Sequence, residues 1–229
     1  MSNPHQATKD FEKALCEYTG APYAVAVNSC TAALLLAVKW QLENADYAMR
    51  FKLEDGSVGC GPEIEIPKRT YVSVPQSIIH AGGRPVFRDE DWSGIYPLKP
   101  LPVWDCARWF TSGLFDIVTH PLQSQTRHGA PGTMACVSFH ASKTLGDTQG
   151  GAILHDNAEA DAWLRRARFD GRTEGVAPKD DTFTQIGWHC MMTPDVAARL
   201  LLKLSVLPKH NDPLPNSDYP DLSKISIFN

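Results

Sequence analysis

Residues 136–154, with the sequence CVSFHASKTLGDTQGGAIL, restrict the fold of this chain more than any other stretch. Two short apolar runs at 135–139 and 152–154 are typical of buried strands, and a glycine-bearing turn joins them. Lys143 lies in that turn. A lysine amine that is partly removed from water holds its proton less firmly and can attack a carbonyl carbon. A solvated surface lysine is the commoner case, so the neighbouring motifs decide between the two interpretations.

The composition is that of an ordinary globular protein. With 229 residues, of which 43% are hydrophobic and 21% charged, the chain can bury a substantial core as one domain. The net charge of −4, without a basic block, gives no support for a nucleic-acid-binding surface. No apolar run approaches the ~20 residues of a membrane span, and the polar N-terminus lacks the core of a signal peptide. Since the six cysteines form no CxxC pair and the eight histidines are scattered, we expect a cytoplasmic protein with reduced thiols, no membrane contact and no metal centre.

The apolar periodicity predicts an α/β fold. Helices are predicted at 7–18, 158–168 and 194–207, another opens within residues 28–34 and runs to about 42, and a further helix ends at about 81, after the motif TYVS. Strands are predicted at 23–27, 63–66, 84–87, 102–105, 115–118, 135–139 and 152–154. Residues 43–62 and 121–132 are predicted to be loops. Because short strands alternate with helices, we expect a parallel sheet with right-handed crossovers.

Two further features are typical of ligand sites. The strand at 23–27 runs directly into residues 28–34, where small and hydroxyl side chains open a helix. The free N–H groups and the dipole of such a helix start favour a phosphate, although a purely structural N-cap is commoner. Asp105 ends a short apolar strand, where α/β sheets hold their ligands, and a helix cap is the alternative there too.

Lys143, Asp105 and the helix start at 28–34 form the set that a pyridoxal 5′-phosphate (PLP) enzyme requires. The surrounding runs are FEKALCEYTGAPYAVAVNSCTAAL, PKRTYVSVPQSIIHAGGRPVFRDED, WDCARW, SFHASKTLGDTQGGAIL and IGWHCMMTPDVAARLLLKL. On these runs the sequence resembles the DegT/DnrJ/EryC1/StrS family of sugar aminotransferases, which are fold-type I PLP enzymes. The serine-to-lysine spacing in SFHASK and the double glycine after it are the most specific signatures. The resemblance covers about residues 8–207 and implies a three-layer α/β/α fold with a mostly parallel sheet, of the PLP-dependent transferase large-domain type.

The resemblance also implies roles for individual residues. Lys143 would hold PLP as a Schiff base and shuttle a proton, and Asp105 would pair with the protonated pyridine nitrogen. The other implied cofactor contacts are Cys30, Thr31 and Ser138 at the phosphate, Tyr71 stacked on the ring, Arg108 on the O3′ side, and His189 at the phosphate in a partner subunit.

Three departures from the family pattern are visible in the sequence. Cys30 stands where many members have glycine, so its side chain is expected to crowd a bound anion. Residues 91–101 are too few for the strand–helix unit that the family has there, since a crossover takes at least ~10–12 residues besides its strands. The chain also stops soon after Leu207, where the family continues into a small C-terminal domain. We therefore expect a shortened form, with a PLP-binding α/β domain at 1–207 and an extended tail at 208–229.

Three functions are compatible with these observations. The first is an aminotransferase that moves an amino group, from glutamate, to the keto group of a nucleotide-linked sugar or a similar small carbonyl. The second is a PLP-dependent decarboxylase or lyase acting on an amino-acid-like or modified-nucleotide substrate, and the third is a catalytically inactive PLP-fold binding protein. The family further implies a homodimer with a shared active site, in which residues 171–187 and the apolar tail are candidates for reaching the partner.

Overall fold

The computed structural model of the chain describes residues 5–44, 61–120, 132–215 and 217–228. Its helices are α1 Gln6–Thr19, α2 Cys30–Asn44, α3 Ser73–Ala81, α4 Leu114–Thr119, α5 Ala158–Ala167 and α6 Pro194–Ser205. Its strands are β1 Tyr23–Val27, β2 Glu63–Pro67, β3 Arg84–Arg88, β4 Tyr96–Leu98, β5 Val103–Asp105, β6 Met134–Ser138 and β7 Gly151–His155. Most of the loops predicted at 43–62 and 121–132 lie outside the described residues.

The strands form a mixed sheet. The order is β1-β7-β6-β5-β4, in which β5 and β6 are parallel and the other neighbours are antiparallel, while β2 and β3 form a separate parallel pair. A parallel pair needs a crossover, usually a helix, whereas residues 99–102 and 139–150 join β4 to β5 and β6 to β7 without one. The α/β class is confirmed, and the sheet is corrected from mostly parallel to mixed.

Strand β4 lies within residues 91–101, which are too few for the strand–helix unit expected there. It lies antiparallel to β5, with Tyr96 directly opposite Asp105. At its other side, Glu65 N donates to Lys99 O at 2.7 Å and Lys99 N donates to Glu65 O at 3.1 Å. This bridge links the five-stranded sheet to β2. The hairpin of β4 and β5 therefore forms one edge of the five-stranded sheet and joins that sheet to β2.

Helices cover both faces of the sheet, which confirms the three-layer architecture. On one face, α2, α3 and α5 pack their apolar side chains against the strands, and on the other face α1, α4 and α6 do so. Fully buried side chains of the two cores include Leu36, Ile78 and Leu164 on the first face and Phe11, Leu114 and Leu200 on the second. Strand residues alternate between these cores, as the two-residue period of a strand requires.

Residues 115–118, predicted as a strand, lie in helix α4. Leu114, Phe115 and Val118 are buried, whereas Asp116 is exposed, so the apolar side chains lie on one helical face. Gly113 precedes the helix with a φ of 69°, a left-handed conformation that glycine adopts without strain. The strand prediction was wrong because an apolar run of four residues has the same composition in a strand and in a short buried helix.

The C-terminal segment, residues 208–228, has little regular structure but packs against its own chain. Two 3-10 turns, Leu222–Lys224 and Ser226–Phe228, are its regular elements. The side chain of Leu222 is fully buried, and the ring of Phe228 packs edge-on against Phe87 of β3 at 6.1 Å. The segment thus runs from the end of α6 across the molecule to the β2–β3 pair.

Three general properties follow from the described part of the chain. Its five cysteines are free thiols. None of its helices combines the length and the apolar character that crossing a membrane requires. No group of three or more histidine, cysteine, aspartate or glutamate side chains within it is placed to hold a metal ion.

Candidate active site

A cavity of about 580 Å³ opens at the carboxyl ends of β1, β5 and β6. It brings together every site residue predicted from the sequence except His189, namely Cys30, Thr31, Tyr71, Asp105, Arg108, Ser138 and Lys143. Ligands of open α/β sheets bind at this edge because the loops that follow the strands converge there. The predicted residues are distant in sequence, so the fold itself assembles the site.

Asp105 is a buried carboxylate of the site, with 6% of its surface exposed. Its Oδ2 accepts a hydrogen bond from Tyr96 Oη at 2.7 Å, and its Oδ1 accepts one from Ala107 N at 2.9 Å. Burial raises the pKa of Asp105 above its usual value, against the opposing effects of these two donors and of the Lys143 charge. A cationic group bound beside this carboxylate would reverse that rise, because an opposite charge favours the ionised form.

Tyr96 is a site residue that the sequence reasoning missed. Its side chain is 2% exposed, and its hydroxyl lies 2.5 Å from Thr70 Oγ1 as well as 2.7 Å from Asp105. With Thr70 as a second partner, the hydroxyl is free to donate to the carboxylate. The sequence showed that residues 91–101 are too few for the family's strand–helix unit, but it did not predict a strand there.

Two glycines allow the lysine loop to approach the start of α2. A Cβ on Gly146 would lie 2.6 Å from Ala141 O, within the turn that carries Lys143. A Cβ on Gly151 would lie 2.5 Å from Cys30 N, at the first turn of α2. Both distances are shorter than real side chains permit, so these positions require glycine. The double-glycine signature therefore brings the lysine loop against the helix start.

Asp147 fastens the lysine loop to helix α6. Its buried carboxylate accepts hydrogen bonds from Arg199 Nη2 and from Lys203 Nζ, each at 2.9 Å. Lys203 Nζ also donates to Gly146 O at 2.6 Å. The hydrogen bonds from Arg199 and Lys203 hold the pKa of Asp147 far below its usual value. The loop is thus anchored by an ion cluster on the side away from the cavity.

Asp147→Asn should destabilise the protein in a pH-dependent way. A carboxyl whose pKa is depressed in the folded state stabilises it above the unfolded pKa of about 3.9, and this stabilisation is lost as pH falls towards the folded-state pKa. Because Arg199 and Lys203 are about half exposed, we expect a loss of about 1–2 kcal/mol in the free energy of unfolding at pH 7, shrinking below about pH 5. Urea unfolding at a series of pH values measures it.

The matched control is Asp195→Asn, which removes a surface carboxylate paired with the same Arg199 at 3.0 Å. We expect a much smaller change there, since 68% of that side chain is exposed. Equal losses in the two variants, or a loss for Asp147→Asn that does not depend on pH, would contradict the anchoring role.

The start of α2 retains the features of an anion site. Ser29 Oγ accepts a hydrogen bond from Ala32 N at 3.1 Å as the N-cap, and Thr31 Oγ1 donates to Ser73 Oγ at 2.8 Å. The Sγ of Cys30 points towards β6, 3.7 Å from Cys136 O, and burial raises the pKa of its thiol well above the usual value. Cys30 also lines the cavity, and its effect on a bound anion stays a prediction. The first-turn N–H groups of such a helix favour a phosphate.

Arg108 and His189 are placed differently from the other predicted residues. Arg108 lines the cavity, but its Nη1 donates to Ser217 Oγ at 2.8 Å, so its guanidinium is engaged by the C-terminal segment. His189 lies outside the cavity with 83% of its side chain exposed, and its Nδ1 is 2.8 Å from Asp170 Oδ2. Their contacts with a cofactor stay predictions, and that of His189 requires a second subunit.

Comparison with known proteins gives the family. The model of the DegT/DnrJ/EryC1/StrS aminotransferase family matches residues 2–97 and 118–212. Asp105 and Arg108 lie in the interval between the two matched parts. The residues after 212 lie outside the match.

Relatives and a solved structure agree with this match. The chain is 31% identical over 196 residues to the spore coat polysaccharide biosynthesis protein SpsC of Bacillus subtilis, covering 73% of this chain and 46% of SpsC. It is 25% identical over 228 residues to a UDP-4-amino-4-deoxy-L-arabinose–oxoglutarate aminotransferase of Shewanella sediminis. That match covers 84% of this chain and 54% of the relative. The crystal structure of NtdA from Bacillus subtilis with bound cofactor PMP superposes on this chain with a TM-score of 0.60 at 18% identity. The superposition covers 88% of this chain and 48% of NtdA. The chain thus spans about half the length of these relatives.

The cavity fits the cofactor of this family, which is PLP. A buried carboxylate, a lysine close enough to lower the pKa of that carboxyl, and a helix start of the kind that binds phosphate all line one space. Each matches one part of PLP: the pyridine nitrogen, the aldehyde and the phosphate. On the family match and this geometry, the chain belongs to the DegT/DnrJ/EryC1/StrS aminotransferase family.

Proposed function

We propose that this chain is a PLP-dependent aminotransferase that moves an amino group from glutamate to the keto group of a nucleotide-linked sugar or a similar small carbonyl. The observation that carries the proposal is the single cavity shared by Lys143, Asp105 and the first turn of α2. The names of the relatives support the substrate class, since one is a UDP-4-amino-4-deoxy-L-arabinose–oxoglutarate aminotransferase and another is a polysaccharide biosynthesis protein.

When bound, PLP supplies an electrophilic carbonyl and a ring that accepts electrons from the reacting carbon. The first turn of α2 would bind the phosphate through its N–H groups, and Asp105 would hold a proton at the pyridine nitrogen. Lys143 Nζ would hold the aldehyde end of the cofactor and, as a free amine, would be the acid–base group that moves a proton at the reacting carbon. Tyr96 orients the carboxylate of Asp105 for its task.

Amino donors test the reaction type. PLP-loaded protein mixed with glutamate should yield one equivalent of 2-oxoglutarate and leave the cofactor as pyridoxamine phosphate, and a keto sugar should then restore PLP. Release of carbon dioxide from amino acids without any keto acid would favour a decarboxylase. Protein that binds PLP but changes no amino donor would be a binding protein.

The homodimer is also part of this proposal. In residues 171–187, which the resemblance places near a partner, Phe183 and Ile186 expose 55% and 83% of their surfaces. Such apolar side chains are unusual on a solvated face and are typical of a covered one. A dimer would bring His189 of one chain towards the site of the other. A solution mass of 25.3 kDa, that of one chain, would contradict it.

Tyr96→Phe should weaken PLP binding about tenfold, because hydrogen bonds to charged groups contribute about 1.5–3 kcal/mol and the ionised Asp105 would lose one. Absorbance titration with PLP measures the dissociation constant. The matched control is Thr70→Val, which removes the second partner of the hydroxyl and leaves the bond to Asp105 in place. Equal weakening in both variants would show that the network matters only for packing.

A further inference from the structure

The C-terminal segment forms part of the cavity wall. Ser217 and Tyr219 line the cavity together with the cofactor residues, although they follow the last residue that the family model matches. This part of the wall lies outside the matched residues. It lies on the side of the cavity that holds Arg108.

The tail is held on both sides of these two residues. Before them, Leu214 N donates to Arg108 O at 2.8 Å. After them, Leu222 N donates to Lys68 O at 2.9 Å and the Leu222 side chain is fully buried. A segment fixed at both ends presents its side chains in a defined place, as a binding wall requires.

Arg108 joins the wall to the site. Its Nη1 donates to Ser217 Oγ at 2.8 Å and lies 3.4 Å from Tyr219 Oη, and its Nη2 donates to Pro215 O. The planar guanidinium offers five donors in a fixed arrangement, which suits holding several acceptors at once. Arg108 thus acts through the tail, as a positioning residue for Tyr219.

The inner side of the wall is aromatic. The ring of Tyr219 stacks on that of Trp92 at 6.3 Å with an interplanar angle of 14°, and it meets the ring of Tyr71 edge-on at 6.4 Å. Tyr71 itself is 57% exposed and faces the cavity. Aromatic faces with hydroxyl groups at their edges suit a sugar ring, which has apolar C–H faces and polar edges.

We propose that Tyr219 is a specificity-determining residue that contacts the sugar ring of the acceptor, with Arg108 and residues 214–222 holding it in place. The proposal rests on the proposed function for its substrate class. It assigns the acceptor subsite to the C-terminal segment of the same chain. The cofactor end of the cavity is not part of this subsite.

Binding of UDP-4-amino-4-deoxy-L-arabinose to the full-length protein, measured by calorimetry with and without PLP, tests the proposal. Tyr219→Ala should weaken this binding about tenfold, since it removes a large aromatic contact. Tyr219→Phe keeps the ring and should retain most of the affinity. Asp218→Ala, an exposed neighbour outside the cavity lining, should bind as the wild type does. The affinity for PLP should stay within about twofold in all three, because Tyr219 meets the predicted cofactor residues Tyr71 and Arg108 but has no hydrogen bond or ring contact with Lys143 or Asp105.

Three results would overturn the proposal: unchanged sugar binding in Tyr219→Ala, a parallel loss of PLP affinity in that variant, or no binding of the sugar to the wild type. The last result would leave the proposed aminotransferase intact, because transfer from glutamate is measured separately. Conversely, sugar binding that depends on Tyr219 without any transfer from glutamate would support the subsite and contradict the proposed reaction.

Discussion

Lys143→Ala is expected to abolish covalent attachment of PLP and to lower the rate of amino transfer by about 10⁴-fold or more. The variant loses both the amine that binds the aldehyde and the group that moves the proton, and positioned acid–base groups alone contribute about 10²–10⁴-fold. Incubation with PLP followed by borohydride should give the wild type a stable mass increase on the peptide that contains residue 143. The variant should give none.

The control is Lys13→Ala, which removes a lysine whose side chain is 79% exposed on α1, outside the cavity lining. It should be labelled as the wild type is. Labelling that persists in Lys143→Ala would place the reactive amine elsewhere, and an unlabelled wild type would remove the basis for the proposed enzyme.

Asp105→Asn is expected to lower the rate of amino transfer by about 10²–10³-fold, because the neutral amide cannot hold a proton at the pyridine nitrogen by its charge. The folded protein without cofactor should not lose stability at pH 7. Burial raises the pKa of Asp105 in the folded state, which means that the folded protein favours the protonated carboxyl. The contribution of this carboxyl to the free energy of unfolding is therefore fully present below the unfolded pKa of about 3.9, and it is lost as pH rises through the folded-state pKa. The amide does not ionise and avoids that loss.

Steady-state kinetics and urea unfolding of the same preparations separate these two effects. Asp116→Asn, on the exposed side of α4, should change neither quantity. A variant Asp105→Asn that is both inactive and strongly destabilised would assign the carboxylate to folding rather than to the reaction.

The parts of the site that the sequence predicted are encoded locally. Lys143 and its glycines lie within one short loop, and the strand that runs into α2 is recognisable from adjacent residues. Their meeting in one cavity required the fold, and the resemblance to the family supplied it. The direction of the Cys30 Sγ towards Cys136 O could not be predicted locally, because it depends on β6, which is distant in sequence.

The features that the sequence did not predict depend on pairing between segments. Strand β4 has three residues, and what makes it a strand is its pairing with β5. The antiparallel direction of β7 follows from a loop without a helix, which apolar patterning cannot distinguish from a crossover. The contact of Tyr219 with the cavity joins the tail to Arg108, more than a hundred residues earlier. Local patterns carry no information on such contacts.

The hairpin of β4 and β5 also bears on the order in which the site assembles during folding. The contact of Tyr96 with Asp105 closes a loop of nine residues, whereas the contact of Arg108 with Ser217 spans 109. The loss of chain entropy on closing a loop grows with its length, and contacts of short separation form sooner. The buried carboxylate can therefore be set in place early by its own hairpin, and the tail closes over a site whose cofactor end already exists.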